Sequence, residues 1–220
     1  MNLILARHGN TFHAQEPAYY VGSQHDLPLV PFGIEQATAI GFALKQQNCQ
    51  LAGVYSGPLQ RMRATAQHAL QAMDCPLQIK VDERLNELDY GLWSGLTSQE
   101  VRQRFGDEDY EGWERQSQWP LLGKWAENEQ AVTARMTAFA DDLVKCHAEH
   151  DNILVVASNG CLRYFLKLVP GAFEAKVTRG QLKIGTGHLG QLQYRHNKWT
   201  LISWNQRPAD FRSESIEPKL

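Results

Sequence analysis

The sequence has little of what holds a small secreted fold together. Its four cysteines, Cys49, Cys75, Cys146 and Cys161, are scattered, and none forms a Cys-x-x-Cys pair. That spacing excludes a zinc ribbon and argues against a disulfide framework, so four reduced thiols are expected. No apolar stretch approaches the roughly 18 residues that a membrane-spanning helix needs. Residues 1–7 lack the basic segment of a signal peptide, and a cytoplasmic location is the expectation. Neither charge is in surplus, with 22 Lys and Arg against 24 Asp and Glu for a net −2. This excludes the basic footprint of a nucleic-acid-binding protein. Taken alone, the sum also disfavours an anionic ligand. Internal repeats and low-complexity segments are missing too. What is present is ordinary globular composition, 43% hydrophobic and 21% charged over 220 residues. One domain spanning residues 1–220 is expected, large enough to bury a full core.

Hydrophobic patterning predicts alternating strands and helices. Leu3–Ala6 reads as a buried strand stopping at Arg7-His8-Gly9, followed by a proline- and glycine-containing ordered loop over 12–32. Helical periodicity covers 33–47, and 52–56 is a second strand closed by Gly57-Pro58. Pro58 suits the first turn of a helix running to about Met73, and 77–81 is a third strand. Residues 88–126 hold four of the six tryptophans and read as an excursion from the core with a helix over 98–105. A long amphipathic helix over 127–147 precedes the strand 153–157, which ends at Ser158-Asn159-Gly160. A helix over 161–168 follows. A hairpin over 189–204 turns at His196-Asn197-Lys198, and the polar tail after Arg207 reads as loose. The alternation predicts an α/β fold with a mainly parallel sheet. In such sheets ligands bind at the carboxyl ends of strands. Three strand ends here carry small polar loops: Arg7-His8-Gly9, Ser56-Gly57 and Ser158-Asn159-Gly160.

The first of these loops has the right chemistry for phosphate. Arginine presents a planar fork to phosphate oxygens, glycine admits a close backbone approach, and histidine is a nucleophile near neutral pH once its second nitrogen is held. Arg7-His8-Gly9-Asn10-Thr11 resembles the Arg-His-Gly-x-Thr signature of the histidine phosphatase superfamily, the phosphoglycerate mutase-like proteins. Gly22, Asp26-Leu27-Pro28-Leu29, Gly33 and Gln36-Ala37 follow in that family's order. So do Ser56-Gly57-Pro58-Leu59-Gln60-Arg61 with Thr65-Ala66, and Leu85-Asn86-Glu87 with Gly91-Leu92-Trp93-Ser94-Gly95. Glu127 and Arg135 match a further Glu and Arg of the pattern. The resemblance spans roughly residues 3–204.

The resemblance implies a three-layer α/β sandwich with a small cap made by residues 88–126. It also implies a phosphatase of small phosphomonoesters in which His8 becomes phosphorylated. Arg7 and Arg61 would hold the phosphoryl oxygens, and Glu87 would give a proton to the leaving oxygen. Asn10, Thr11 and Gly22 would complete the substrate-binding loop. Arg63 is expected on the surface. No cofactor and no metal are implied, because cationic side chains supply the charge; the His8, His13 and His25 spacing fits no zinc pattern. The expected partner is a small phosphorylated molecule, neither nucleic acid nor membrane, and the oligomeric state is left open. An aromatic cap that lined the site would favour an aromatic or apolar remainder of the substrate.

One position departs from the pattern. The family's second histidine, in Ser-His-Gly, corresponds here to Asn159. A neutral amide in place of a charged donor costs about 1–2 kcal/mol of stabilisation, or roughly tenfold to thirtyfold in rate. His188, in Thr186-Gly187-His188, is a candidate to restore the charge. Two other functions stay open: a weak or inactive phosphate-binding regulator, and a phosphoglycerate-type mutase. The mutase is disfavoured because such enzymes are usually longer. Gly185-Thr186-Gly187-His188-Leu189-Gly190 also fits a dinucleotide pattern, but it precedes a hairpin rather than a helix and is rejected. Cys161 is expected to pack rather than react.

Overall fold

The computed structural model describes residues 1–212. The chain forms β1 (Asn2–Arg7), α1 (Pro31–Gln46), β2 (Leu51–Ser56), α2 (Gln60–Ala72), β3 (Ile79–Val81), α3 (Ser98–Phe105), α4 (Asp107–Glu111), α5 (Glu129–Cys146), β4 (Asn152–Ala157), α6 (Asn159–Leu162), α7 (Ala172–Thr178), β5 (Leu189–Arg195) and β6 (Lys198–Gln206). The strands build one mixed sheet in the order β3-β2-β4-β1-β5-β6. The pairs β3–β2, β2–β4 and β4–β1 are parallel, whereas β5 and β6 add an antiparallel edge.

The pleat sorts the core into two halves. Leu3 and Leu5 of β1, with Ile153, Val155 and Ala157 of β4, pack with Val132, Met136, Phe139 and Leu143 of α5. Ile4 and Ala6, with Leu154 and Val156, turn the other way onto Ile40 and Leu44 of α1 and Met62, Ala66 and Ala69 of α2. Successive side chains of a strand point to opposite faces, so two central strands buried on both sides require helices on both. The result is the expected three-layer α/β arrangement. Parallel pairing of Arg7 with Ala157 and of Ser56 with Val156 brings the three polar strand-end loops to one edge of the sheet.

Several boundaries differ from the pattern-based expectation. Helix α2 begins at Gln60 rather than Pro58, because Asp26 caps it: the Gln60 backbone N–H donates to Asp26 Oδ1 at 2.7 Å. The stretch 161–168 is a single α-turn, α6, followed by a 3-10 helix over Arg163–Leu168. Helix α7 carries no strong periodic signal in its seven residues and was not expected. The hairpin turns on His196 and Asn197, both with positive φ, as a two-residue turn between twisted strands requires. Helix α3 occupies the expected 98–105, opened by a Thr97/Glu100 capping box. Among the described residues no helix is long and apolar enough to cross a membrane.

The expectation of a loose tail fails for residues 208–212; residues 213–220 lie outside the described residues. Pro208–Asp210 forms a 3-10 turn, and Phe211 is fully buried in the α1/α2 half of the core. Phe211→Ala therefore leaves a cavity and is expected to cost about 3 kcal/mol of stability. Urea unfolding would show a lowered midpoint; a midpoint within experimental error of the parent would contradict the packing.

Candidate active site

A cleft of about 500 Å³ opens at the carboxyl edge of the sheet. Its lining includes Arg7, His8, Asn10, Thr11, Gly22, Arg61, Glu87 and Asn159. These residues come from β1, the loops that follow β1 and β3, α2 and the first residue of α6, so only the sheet's parallel register could assemble them.

His8 is only 6% exposed and sits where β1 ends. Its backbone N–H donates to the Ala157 carbonyl, which ties the loop to β4. The ring's Nδ1–H donates to the Gly9 carbonyl at 2.7 Å. That assigns the proton to Nδ1 and leaves Nε2 as the acceptor on the cleft side, where it takes a long hydrogen bond from Arg61 Nε–H at 3.3 Å. Burial, then the charges of Arg61 and Arg7, push the imidazole pKa well below its ordinary value of 6.5. The ring is therefore neutral at neutral pH, as a nitrogen nucleophile must be. Followed by NMR in the free protein, His8 is expected to titrate below pH 6.5; a midpoint at or above that value would contradict this environment.

The loop that carries His8 is clamped from two sides. The Gly9 N–H donates to Thr65 Oγ1 of α2, whose hydroxyl donates back to the Arg61 carbonyl. Gln36 accepts from the Asn10 N–H at 2.8 Å and donates to Thr186. A Cβ on Gly9 would stand 2.1 Å from the Gly33 carbonyl oxygen. The loop can lie this close to α1 only without a side chain at that point.

Both expected arginines, Arg61 buried and Arg7 half-buried, are oriented by backbone carbonyls rather than by carboxylates. Arg61, 1% exposed, donates to the carbonyls of Gly22 and His25, each at 2.9 Å. Arg7 donates to the Ile184 carbonyl at 2.7 Å, and its buried Nε has no partner. Burial lowers both guanidinium pKa values, with Glu87 the largest opposing influence. An arginine buried without a carboxylate is a costly arrangement that an anion would relieve.

Glu87, 8% exposed, accepts from the Leu88 N–H at 2.9 Å and from the Gly160 N–H at 3.4 Å. A Cβ on Gly160 would lie 2.1 Å from Glu87 Oε1, so that glycine makes room for the carboxylate. Arg135 braces the loop behind Glu87. It forms a two-pronged ion pair with Glu127 at 2.8 and 3.0 Å and donates to the carbonyls of Arg84 and Asn86. Arg63 is exposed, and Cys161 is buried with its thiol pushed up to about 12 by burial.

Asn159 points its Oδ1 at the Ile184 N–H, at 3.0 Å, which leaves the amide N–H2 as the donor face toward the cleft. His188 is a correction. Its side chain does not line the cleft; the ring packs beneath Gly185 and bonds Asn205 at 2.9 Å. Pairing of β5 with β1 begins one residue later and sets this direction, so His188 serves the site only through its backbone carbonyl, which accepts from Arg7 N–H.

Four tryptophans, Trp93, Trp113, Trp119 and Trp125, form one edge-to-face cluster with Tyr20 and Tyr90. Of the four only Trp113 lines the cleft, joined there by Tyr20, Tyr90 and Tyr110. The sequence reading missed Arg163, a buried arginine on the cleft wall. Its place four residues after Asn159 gives no signal that separates it from an ordinary surface arginine; its burial against Trp113 does.

Comparison with known proteins bears on this geometry. Residues 3–207 match the model of the histidine phosphatase superfamily, branch 1. A 2,3-bisphosphoglycerate-dependent phosphoglycerate mutase from Bartonella bacilliformis is 29% identical over 185 residues, which are 83% of this chain and 88% of the mutase. That mutase is no longer than this chain, so the length argument against mutase activity fails. Among solved structures, an alpha-ribazole phosphatase from Shigella flexneri superposes with a TM-score of 0.73 at 27% identity, covering 94% of this chain and 97% of that one. A mycobacterial glucosyl-3-phosphoglycerate phosphatase complexed with VO3 gives 0.77 at 25% identity, covering 93% and 98%.

Proposed function

The chain belongs to the histidine phosphatase superfamily, and from that premise we propose that it hydrolyses a small phosphomonoester through a phosphohistidine on His8. The observation that carries the proposal is the state of His8: a neutral ring, its Nδ1 proton committed to Gly9, its Nε2 lone pair on the cleft side beside Arg7 and Arg61.

The reaction follows from these groups. The Nε2 lone pair attacks phosphorus, and the bond from phosphorus to the ester oxygen breaks. Glu87, protonated at this stage, gives its proton to the departing oxygen. Arg7 and Arg61 stabilise the charge that spreads over the three equatorial oxygens, and they do so in a site already organised before the ester arrives. Asn159 adds a neutral N–H donor where other members of the family place a second histidine. In the second half, Glu87 as carboxylate takes a proton from water, the water oxygen bonds phosphorus, and the phosphorus–Nε2 bond breaks. Inorganic phosphate and a neutral His8 result.

The test is direct. Rapid mixing with 4-nitrophenyl phosphate, an alkaline quench and peptide mass spectrometry should find a phosphoryl group on His8. Turnover without that label would overturn the mechanism. Incubation with 2- and 3-phosphoglycerate separates the alternatives: phosphate release marks a phosphatase, interconversion marks a mutase.

A further inference from the structure

Arg163 is not used by the mechanism above, yet it is the third arginine of the cleft lining. It is 1% exposed and has no carboxylate within 4 Å among the described residues. One face of its guanidinium lies over the Trp113 ring, 4.3 Å from the centroid. Its Nε donates to the Asn159 carbonyl at 3.4 Å and one terminal nitrogen donates to Ser117 Oγ at 3.2 Å, both long and both to neutral oxygens. The other terminal nitrogen has no partner among the described residues, and the side chain lines the cleft. The nearby carboxylate, Glu114, is already committed to Lys183 and to the Tyr20 hydroxyl.

The charges define what is missing. Three arginines, Arg7, Arg61 and Arg163, line the cleft; in the reaction proposed above Glu87 enters as the acid, and Glu114 is paired with Lys183. A phosphomonoester dianion balances two of them and leaves one. An uncompensated guanidinium held out of water is costly, and a charge-assisted hydrogen bond from a planar fork is the strong remedy. Arg163 lies on the wall built from Trp113 of the 88–126 excursion, not on the His8 loop, so it meets the part of the substrate beyond the phosphate.

Building on the phosphatase reading, we propose that Arg163 recognises a second anionic group on the substrate, a carboxylate, so that the preferred substrates are phosphomonoesters of small carboxylic acids. Trp113 holds the guanidinium plane in place, and Asn159 and Ser117 orient it, which leaves the free edge to the carboxylate. This also refines the expectation that an aromatic wall calls for an apolar substrate. Here the aromatic ring supports a cation.

The experiment compares esters that differ in the carboxylate: 2-phosphoglycolate against ethyl phosphate, and 3-phosphoglycerate against glycerol 3-phosphate. The native protein is expected to favour at least one carboxylated member by about tenfold or more in kcat/KM, the worth of one charge-assisted hydrogen bond. In Arg163→Gln that ratio should collapse to about one, chiefly through KM, while Arg163→Lys, which keeps the charge and loses the fork, retains part of it. No preference in the native protein overturns the proposal. So does an Arg163→Gln variant that is folded by thermal melting and keeps the ratio. If Arg163→Gln does not fold, Arg163→Lys decides: an unaltered ratio for both pairs overturns the proposal. The same pairs bound to the His8→Ala protein in calorimetry read the preference without turnover. Failure of the phosphatase reading, with binding preference intact, is thereby distinguished from failure of Arg163 recognition.

Discussion

His8→Ala is expected to lower kcat for 4-nitrophenyl phosphate at least about 10³-fold, the scale on which loss of a covalent nucleophile falls. The variant should nonetheless fold and bind phosphate. The ring makes one side-chain bond to its own loop, at Gly9, and one to Arg61, while the loop is anchored independently by the His8 backbone, Thr65 and Gln36. Removing the imidazole also frees the Arg61 Nε–H to meet a phosphate oxygen. Phosphate binding by calorimetry should therefore hold or strengthen as turnover disappears. Equal hydrolysis by both proteins would end the nucleophile assignment. Loss of binding together with loss of activity would show that the variant had damaged the pocket instead.

Glu87→Gln is expected to split the reaction into its two halves. A leaving alkoxide needs a proton, so alkyl esters should lose about 10²–10⁴-fold in kcat/KM. Nitrophenolate is a stable anion and leaves without one, so the first step with 4-nitrophenyl phosphate should be little affected. Hydrolysis of the phosphohistidine still needs a base. The variant should therefore release about one equivalent of nitrophenol in a burst and then turn over slowly, with phosphate trapped on His8. Equal losses on both ester classes and no burst would exclude Glu87 from proton transfer. Gly160→Ala approaches the same point from outside the chemistry. Its methyl would occupy the place of Glu87 Oε1, so displacement of the carboxylate should reproduce the leaving-group dependence without removing the acid.

The net charge of −2 appeared to weigh against an anionic ligand. The structure shows why that sum has little force. It averages the whole surface, whereas the cleft concentrates Arg7, Arg61 and Arg163 in one place, the last two almost wholly buried, so that each cation counts for more there.

The sequence by itself determined the strand ends and the residues that stand on them. Alternating hydrophobic runs are local signals, and Arg7-His8-Gly9, Arg61 and Glu87 are recognisable because each belongs to a short contiguous motif. The layered fold followed from the same periodicities. Tertiary structure alone decided matters that depend on partners far along the chain. Asp26, remote in sequence, starts α2 by capping Gln60. Phe211 is drawn out of a polar tail into the core. His188 is turned away from the cleft by the strand that follows it, although its motif suggested a second cation. Arg163, which looks like any helix-surface arginine in a one-dimensional reading, is instead sealed against Trp113, fifty residues earlier, and left without a counter-ion. Burial and the cancellation of charge are properties of three-dimensional neighbours. A sequence window can place a side chain on an element, but it cannot say which remote group will desolvate it or leave its charge unpaired.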